Sequence, residues 1–389
     1  MYSPDLLAYL ILGISYIARI GGKFAILTAT LPGIVTDLLK MQLENYGITF
    51  EQPEPFLNDN VIRHSLKIIH DGISTDYVVR SFNNNKVLVI CNTVKIAQKV
   101  YSELMENKEF CKKCKNINLF HSKFIKKDRK EKEDEIVSFG KGECQESGVW
   151  IATQVVEASL DIDFDVLLTE LSDINGLFQR MGRCYRNRVF NNEDYNCFVF
   201  DGGGKTCSGV GKFIDEKLFE FSKEALKNID GKITETKKQD IIKYIYNTEK
   251  LKDTEYYKEV LDHIRYVQSI REHELDKKEV SRRFRNISNI TIIPSCVYQK
   301  EKAVIDDMVA KVQTEEDKKE KRRLIDKINE FTVDVPLYEV EGCQCVTLNV
   351  TKYMNVLIYD GFEYDDKIGL KKIPKSQSPN AFNADNQIM

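Results

Sequence analysis

At 389 residues the chain has room for two or three domains that each bury a core. With 42% hydrophobic and 30% charged residues, 8 Pro and 20 Gly, the composition excludes long disorder except in the polar tail SQSPNAFNADNQ. A formal charge of -3 excludes an overall basic signature, so any phosphate contact has to come from a local patch of Lys and Arg.

The run from Leu6 to Ala18 is too short to span a bilayer and is followed by Arg19, so it is expected to be a buried helix over residues 5–20, with no membrane partner. Gly21 and Gly22 end it. FAILTATLP at 24–32 then reads as a strand stopped by Pro32, followed by a helix over about 33–43. HSLKII and DYVVRSF read as a hairpin.

From Lys86 the rhythm is strand and helix in alternation: KVLVICN, VKIAQKVYSELME, INLFHS, KKDRKEKEDEIVSFG, GVWIATQV, VLLTEL, a helix over Ile174 to Met181, and NCFVFDG. That pattern predicts a parallel sheet covered on both faces, with its chemistry at the carboxyl ends of the strands. Beyond Gly204 the chain turns to Lys/Glu-rich helical stretches at about 212–228, 235–248, 254–276 and 303–330, with ISNITIIPS, VDVPLYEV and YMNVLIYDGFEYDDKIGL as strands. The fold class expected is therefore α/β, a parallel sheet lobe followed by a mostly helical C-terminal domain with a few strands. Runs such as EEDKKEKRRL mix both signs at helical spacing and read as solvated faces.

Ten cysteines follow no disulfide framework and no secretory h-region precedes them, which suits a reducing cytoplasm. Cys111 and Cys114 form a CxxC without a second pair at zinc spacing, and His64, His70, His263 and His273 show no metal spacing, so no metal site is expected. Gly202, Gly203, Gly204, Lys205 and Thr206 imitate the end of a phosphate loop, but the glycine needed five positions earlier is Val199, inside a strand, which favours a linker.

Four loops recur in a fixed order: TAT at 28–30, NT at 92–93, ATQVVEASLDID at 152–163 and QRMGRCYR at 179–186. Together they resemble motifs III to VI of superfamily 2 helicases. FHSKFIKKDRKEKE, VVEASLDIDFDVLLTE and LFQRMGRCYR more narrowly resemble the CRISPR-associated helicase-nucleases of type I systems, and the late FRNISNITIIPS and YDDKIGL are similar to the C-terminal region of that family. The resemblance implies a second RecA-like lobe of the P-loop NTPase type, without its own P-loop, at 46–205. It also implies a remnant of the first lobe at 1–45 carrying TAT, a C-terminal accessory domain at 206–372 and a flexible tail at 373–389.

In such enzymes ATP with Mg lies between two lobes, held mainly by the first, and arginines of the second reach the charge developing on the γ-phosphate. Arg183 and Arg186 match these fingers, and a spacing of three at a helix end points both to one side; surface ion pairing is the plainer alternative. The resemblance gives Gln179 and Gly182 to the nucleotide side, and Asp161 to ribose or an arginine finger; a loop acid satisfying backbone amides is the alternative for Asp161. Asn92, Thr93, His121, Ser122 and Thr153 fall where single-strand phosphates are held, and Thr28 and Thr30 where hydrolysis is coupled to movement.

The sequence departs from the family in lacking a Walker A loop, a DExD/H box and an HD pair, and Met1 falls where the chain would be leaving the acidic box. The expectation is a fragment or split gene, inactive alone, whose partners are single-stranded DNA, a separately encoded N-terminal half and a CRISPR surveillance complex. Two other readings stay open: a non-catalytic module that binds nucleic acid or protein, and a piece of another superfamily 2 helicase. Residues 5–35 are expected to be poorly anchored, because their sheet is absent.

Overall fold

A computed structural model describes residues 3–28, 30–157, 160–269 and 289–374. Helices α1 (Pro4–Arg19) and α2 (Gly33–Glu44) come first. The short apolar runs that follow become strands β1 (His64–Ile69), β2 (Lys86–Ile90), β3 (Ile117–Phe120), β4 (Gly148–Ala152), β5 (Val166–Glu170) and β6 (Cys197–Phe200). They pair in parallel in the order β3-β4-β2-β5-β6-β1, and β7 (Gly231–Ile233) joins antiparallel to β1.

The crossovers are α3 (Thr75–Ser81), α4 (Val94–Glu106), α5 (Lys108–Lys113), α6 (Lys126–Phe139) and α7 (Ile174–Met181). Alternation along β2 feeds two layers: Val87 and Val89 pack with Ala97, Val100 and Leu104 of α4, while Leu88 and Ile90 join the layer that holds Ile174, Leu177 and Met181 of α7. Because β2 is covered on both faces it reads as a continuous apolar run, which is why the sequence pattern located it.

Helices α8 (Glu216–Leu226), α9 (Glu235–Ile245), α10 (Thr248–Leu251) and α11 (Glu255–Ser269) stay with this lobe. Phe219, Ile242, Tyr246 and Val260 are buried in the same cluster as Leu177 and Met181, and β7 is part of the same sheet. The expected boundary at 205 is therefore displaced to beyond 269. Gly202, at φ 81°, would place a Cβ 2.3 Å from the Lys205 carbonyl, and Gly203, at φ 60°, one 2.6 Å from that of His70. A tight turn, not a phosphate cradle, demands these two glycines.

Three further expectations are corrected. FAILTATLP is not a strand: its described residues pair with no strand among the described residues, and Leu27 stands 91% exposed. DYVVRSF forms α3 rather than half of a hairpin, and the strand before it pairs with β6. The helices within 5–35 are not poorly anchored, because Leu7, Ala8 and Ile11 of α1 and Ile34 of α2, with Leu38 and Leu39 beyond it, are buried in the lobe's own core, where α1 lies against α11.

The C-terminal unit has a second core. Its sheet runs β10 (Cys345–Thr351), β11 (Met354–Tyr359), β8 (Asn289–Pro294), β9 (Val333–Pro336), backed by α12 (Ser295–Thr314) and α13 (Lys318–Asn329) through Ile305, Val312 and Ile328. Strand β10 was not expected, and VDVPLYEV divides at Pro336 into β9 and α14 (Leu337–Val340). A hairpin of β12 (Phe362–Asp365) and β13 (Gly369–Lys372) reaches back to the parallel-sheet lobe. The end of the 254–276 stretch with His273, the FRNIS segment, and the SQSPNAFNADNQ tail lie outside the described residues. No helix among the described residues is long and apolar enough to cross a membrane.

Candidate functional site at the carboxyl edge of the sheet

Each parallel strand delivers a polar segment to one edge: Asn92 and Thr93 after β2, His121 and Ser122 after β3, Thr153 after β4, and Ser172 and Asp173 after β5. Asp173 caps α7 by accepting from the Gly176 amide at 2.6 Å, which starts the helix bearing Gln179 and Arg180. That helix stops at Gly182, so Arg183 and Arg186 lie beyond it and the helical-spacing argument for their shared direction does not apply. Tyr185 between them adopts a left-handed φ of 48°, fixed by an edge contact with Phe190 at 5.1 Å and by Arg188 lying 4.3 Å over its ring.

What brings the arginines to the 152–163 loop is a short parallel bridge. Phe164 pairs with Cys184, the Phe164 amide donating to the Arg183 carbonyl at 2.9 Å and the Tyr185 amide to the Phe164 carbonyl at 3.1 Å. Arg183 is buried and its guanidinium donates to the carbonyls of Leu160 and Glu157, the latter at 2.6 Å. Arg186 is 38% exposed and pairs through Nε with Asp161 at 3.0 Å, a carboxylate that is itself 82% exposed. Burial, and then the neighbouring Arg186 charge, lower the Arg183 pKa, while Asp161 and Glu157 oppose the shift. Two guanidiniums thus share one loop, one spent on carbonyls and one held by a single solvent-exposed acid.

The other expected residues divide by burial. Gln179 and Ser122 are exposed. Thr93 caps α4 and its hydroxyl donates to Ser208 at 3.2 Å, while Thr153 is 3% exposed and begins a short turn. Asn92 is buried with its amide consumed: Nδ2 donates to the Leu171 carbonyl at 2.8 Å and Oδ1 accepts from Arg180 at 2.9 Å. His121 is buried, stacked on Phe124, and bonded from Nε2 to the Ile368 carbonyl at 3.0 Å. The side chains of Asn92 and His121 therefore brace loops and do not reach the surface. Thr30 donates to Asn175 Oδ1 at 3.0 Å, tying TAT to the first turn of α7, and Thr28 bonds back to the Thr30 carbonyl.

Sequence reasoning missed the residue at the centre. Arg180 is fully buried and joins four segments: Nε to Glu157 at 2.7 Å, and Nη1 to Asn92, the Thr169 hydroxyl and the Glu170 carbonyl at 2.7 to 3.0 Å. Helical spacing from Leu177 and Met181 could have placed it on the inward face. His64 was also underestimated. Its Nε2 bonds the carbonyls of Met181 and Cys184 at 2.7 and 2.9 Å, gripping the turn from behind, and Lys238 donates to its Nδ1 at 3.0 Å. Burial and the Lys238 charge push its pKa down to about 3, so the ring is neutral at ordinary pH.

Residues 83–189 match the family model described as CRISPR-associated nuclease/helicase Cas3, C-terminal. A Methanothermobacter thermautotrophicus CRISPR-associated nuclease/helicase Cas3 is 24% identical over 94% of this chain and 46% of its own length. The T. fusca Cas3 structure with ATP superposes with a TM-score of 0.73 at 14% identity over 95% of this chain and 53% of that one. A chain of a CRISPR RNA-guided surveillance complex, pre-nicking, superposes with a TM-score of 0.67 at 16% identity over 95% of this chain and 55% of its own.

Over most of its length the chain is similar to the C-terminal half of CRISPR-associated nuclease/helicases named Cas3. It spans about half the length of the Cas3 relative that it matches over most of its length. The Cas3 match covers every expected site residue except Thr28 and Thr30.

Arg186 is the kind of exposed donor at this edge that fits a phosphate-bearing nucleotide. Among the described residues it is held by one acid that is itself exposed, whereas Arg183 Nε and Arg180 Nη2 are buried, without a hydrogen-bond partner there, and closed to a ligand. For Mg the edge offers no cluster of three or more ligating side chains among the described residues, so its ligands would come from outside this edge.

Proposed function

We propose that this chain forms the second RecA-like lobe, through residue 269, and the C-terminal domain, 289–374, of an ATP-dependent DNA translocase acting in CRISPR interference. The observation that carries the reading is the Arg186–Asp161 pair standing open at the carboxyl edge of a parallel sheet, the place where such sheets bind ligands. The 389 residues contain no Walker A loop, so nucleotide and Mg are held between this edge and a phosphate-binding lobe on the same or another polypeptide. ATP bound there supplies the free energy of hydrolysis. Arg186 exchanges Asp161 for the γ-phosphate, and Asp161 is released to ribose or to the second arginine. Arg183, fixed on the Glu157 and Leu160 carbonyls, positions the loop. Gln179, exposed on α7, and Gly182, ending it, complete the nucleotide side.

Single-stranded DNA runs across the same edge, against Ser122, Thr93 and the Thr153 turn, with Asn92 and His121 shaping the loops beneath it. The Thr30–Asn175 bond carries movement of the TAT segment into α7 and thence to the arginines. By likeness to the chain in the surveillance complex, the recruiting partner is a complex of that kind.

The test mixes this chain with a lobe carrying Walker A and DExD/H loops and measures DNA-stimulated ATP hydrolysis. Arg186→Ala is expected to lower the rate by about 10³-fold or more with an unchanged melting temperature. Hydrolysis at the parental rate in that variant would overturn the assignment.

A further inference from the structure

Where α4 meets β13 and α14 the surface opens into a groove of about 540 Å³ that the nucleotide edge does not use. Lys95, Lys99 and Ser102 line it from α4, and Lys371 and Lys372 from β13; all four of these lysines are exposed. Its floor is rigid. Gln98 donates to the carbonyls of Ile368 and Leu370 at 2.9 and 3.2 Å, the Leu370 amide donates to the Lys123 carbonyl at 2.8 Å, and Lys123 pairs with Glu339 at 2.8 Å.

Glu339 is the one acid in the lining and is spent on Lys123; outside the lining, Glu103 stands 3.7 Å from Lys99 and Glu363 opposite Lys371 in the hairpin. In a chain of net charge -3, four exposed lysines converging from two domains are a concentrated positive field. Lys95 and Lys99 are one helical turn apart, about 6 Å along the axis, close to the phosphate spacing of an extended strand. The groove starts at Val94, next to Thr93, so it continues the edge proposed to hold DNA.

The geometry points to a second, interdomain binding track: the α4–β13 groove takes the phosphate backbone of single-stranded nucleic acid and leads it off the sheet edge along the flank of α4. This rests on the translocase reading for the identity of the polyanion, though not for the groove. Recognition is by charge and not by base, since the lining offers ammonium groups and a hydroxyl and no aromatic ring.

The test uses the full chain and fluorescein-labelled oligo-dT, with anisotropy measured across a salt series. Lys95→Gln with Lys99→Gln, and separately Lys371→Gln with Lys372→Gln, are each expected to weaken binding on the order of tenfold and to flatten the salt slope by about 1.4. Lys318→Gln with Lys319→Gln on α13 serves as the control and is expected to change neither. Unaltered binding in both groove variants, or the same loss in the control, would overturn the track. Displacement of oligo-dT by poly-glutamate at equal charge would overturn its assignment to nucleic acid. Failure here leaves the Arg186 experiment untouched, because that one reads hydrolysis and not strand affinity.

Discussion

Two buried histidines give the molecule a measurable pH signature. His64 and His121 both have pKa values depressed to about 3, chiefly by burial, against an ordinary value of 6.5. The unfolded chain therefore binds more protons than the folded one between those limits, so the stability these rings confer is complete above pH 6.5 and is lost as pH falls. Each ring contributes a slope of about 1.4 kcal/mol per pH unit over most of that window. His121→Phe keeps the stack on Phe124 but removes one titration, so between pH 6.5 and 5 its urea stability should fall by about 2 kcal/mol less than the parent's. Equal losses would mean that His121 is protonated in the native state. At this scale the sequence was only half legible. Asp161 and Arg186 were readable because their motif is local, whereas Arg180 acquires its role from Asn92 and Glu157, and His64 from Lys238, residues far apart in the chain.

Among elements, those buried on both faces were the readable ones. Strand β2 and helix α7 were placed from apolar runs and periodicity alone, and both lie where expected. Elements that depend on a distant partner were not. Strand β7 exists only by pairing with β1, and α1 is anchored by α2 and α11 rather than left bare. FAILTATLP has strand composition, but it pairs with no strand among the described residues. Hydrogen exchange should separate the two parts of this region. Amides of 23–28 should exchange fast, while those of 86–90 and of the buried face of α1 should be strongly protected. Protection of 23–28 equal to that of β2 would show that the segment has found a partner.

As a whole, the molecule is two cores joined by a bonded seam. Ile125 of the RecA-like lobe is buried in the C-terminal core, and its amide donates to the Tyr364 hydroxyl at 3.2 Å. The Lys126 and Lys127 amides donate to the carbonyls of Thr332 and Glu330, each at 2.9 Å. The loop that follows β3, with Ser122 at its tip, is therefore held by both domains, and the C-terminal domain sets its position. The division into two units was legible in the change of composition, but its boundary was not, because helices α8 to α11 look alike in sequence to those of the next domain and differ only in what they bury. The central claim is that this chain contributes arginines and strand contacts to a nucleotide site completed by another lobe. DNA-stimulated ATP hydrolysis by the purified chain tests it most directly: no turnover is predicted until a lobe with a Walker A loop is added, and turnover by the chain alone, abolished by Arg183→Ala, would contradict it.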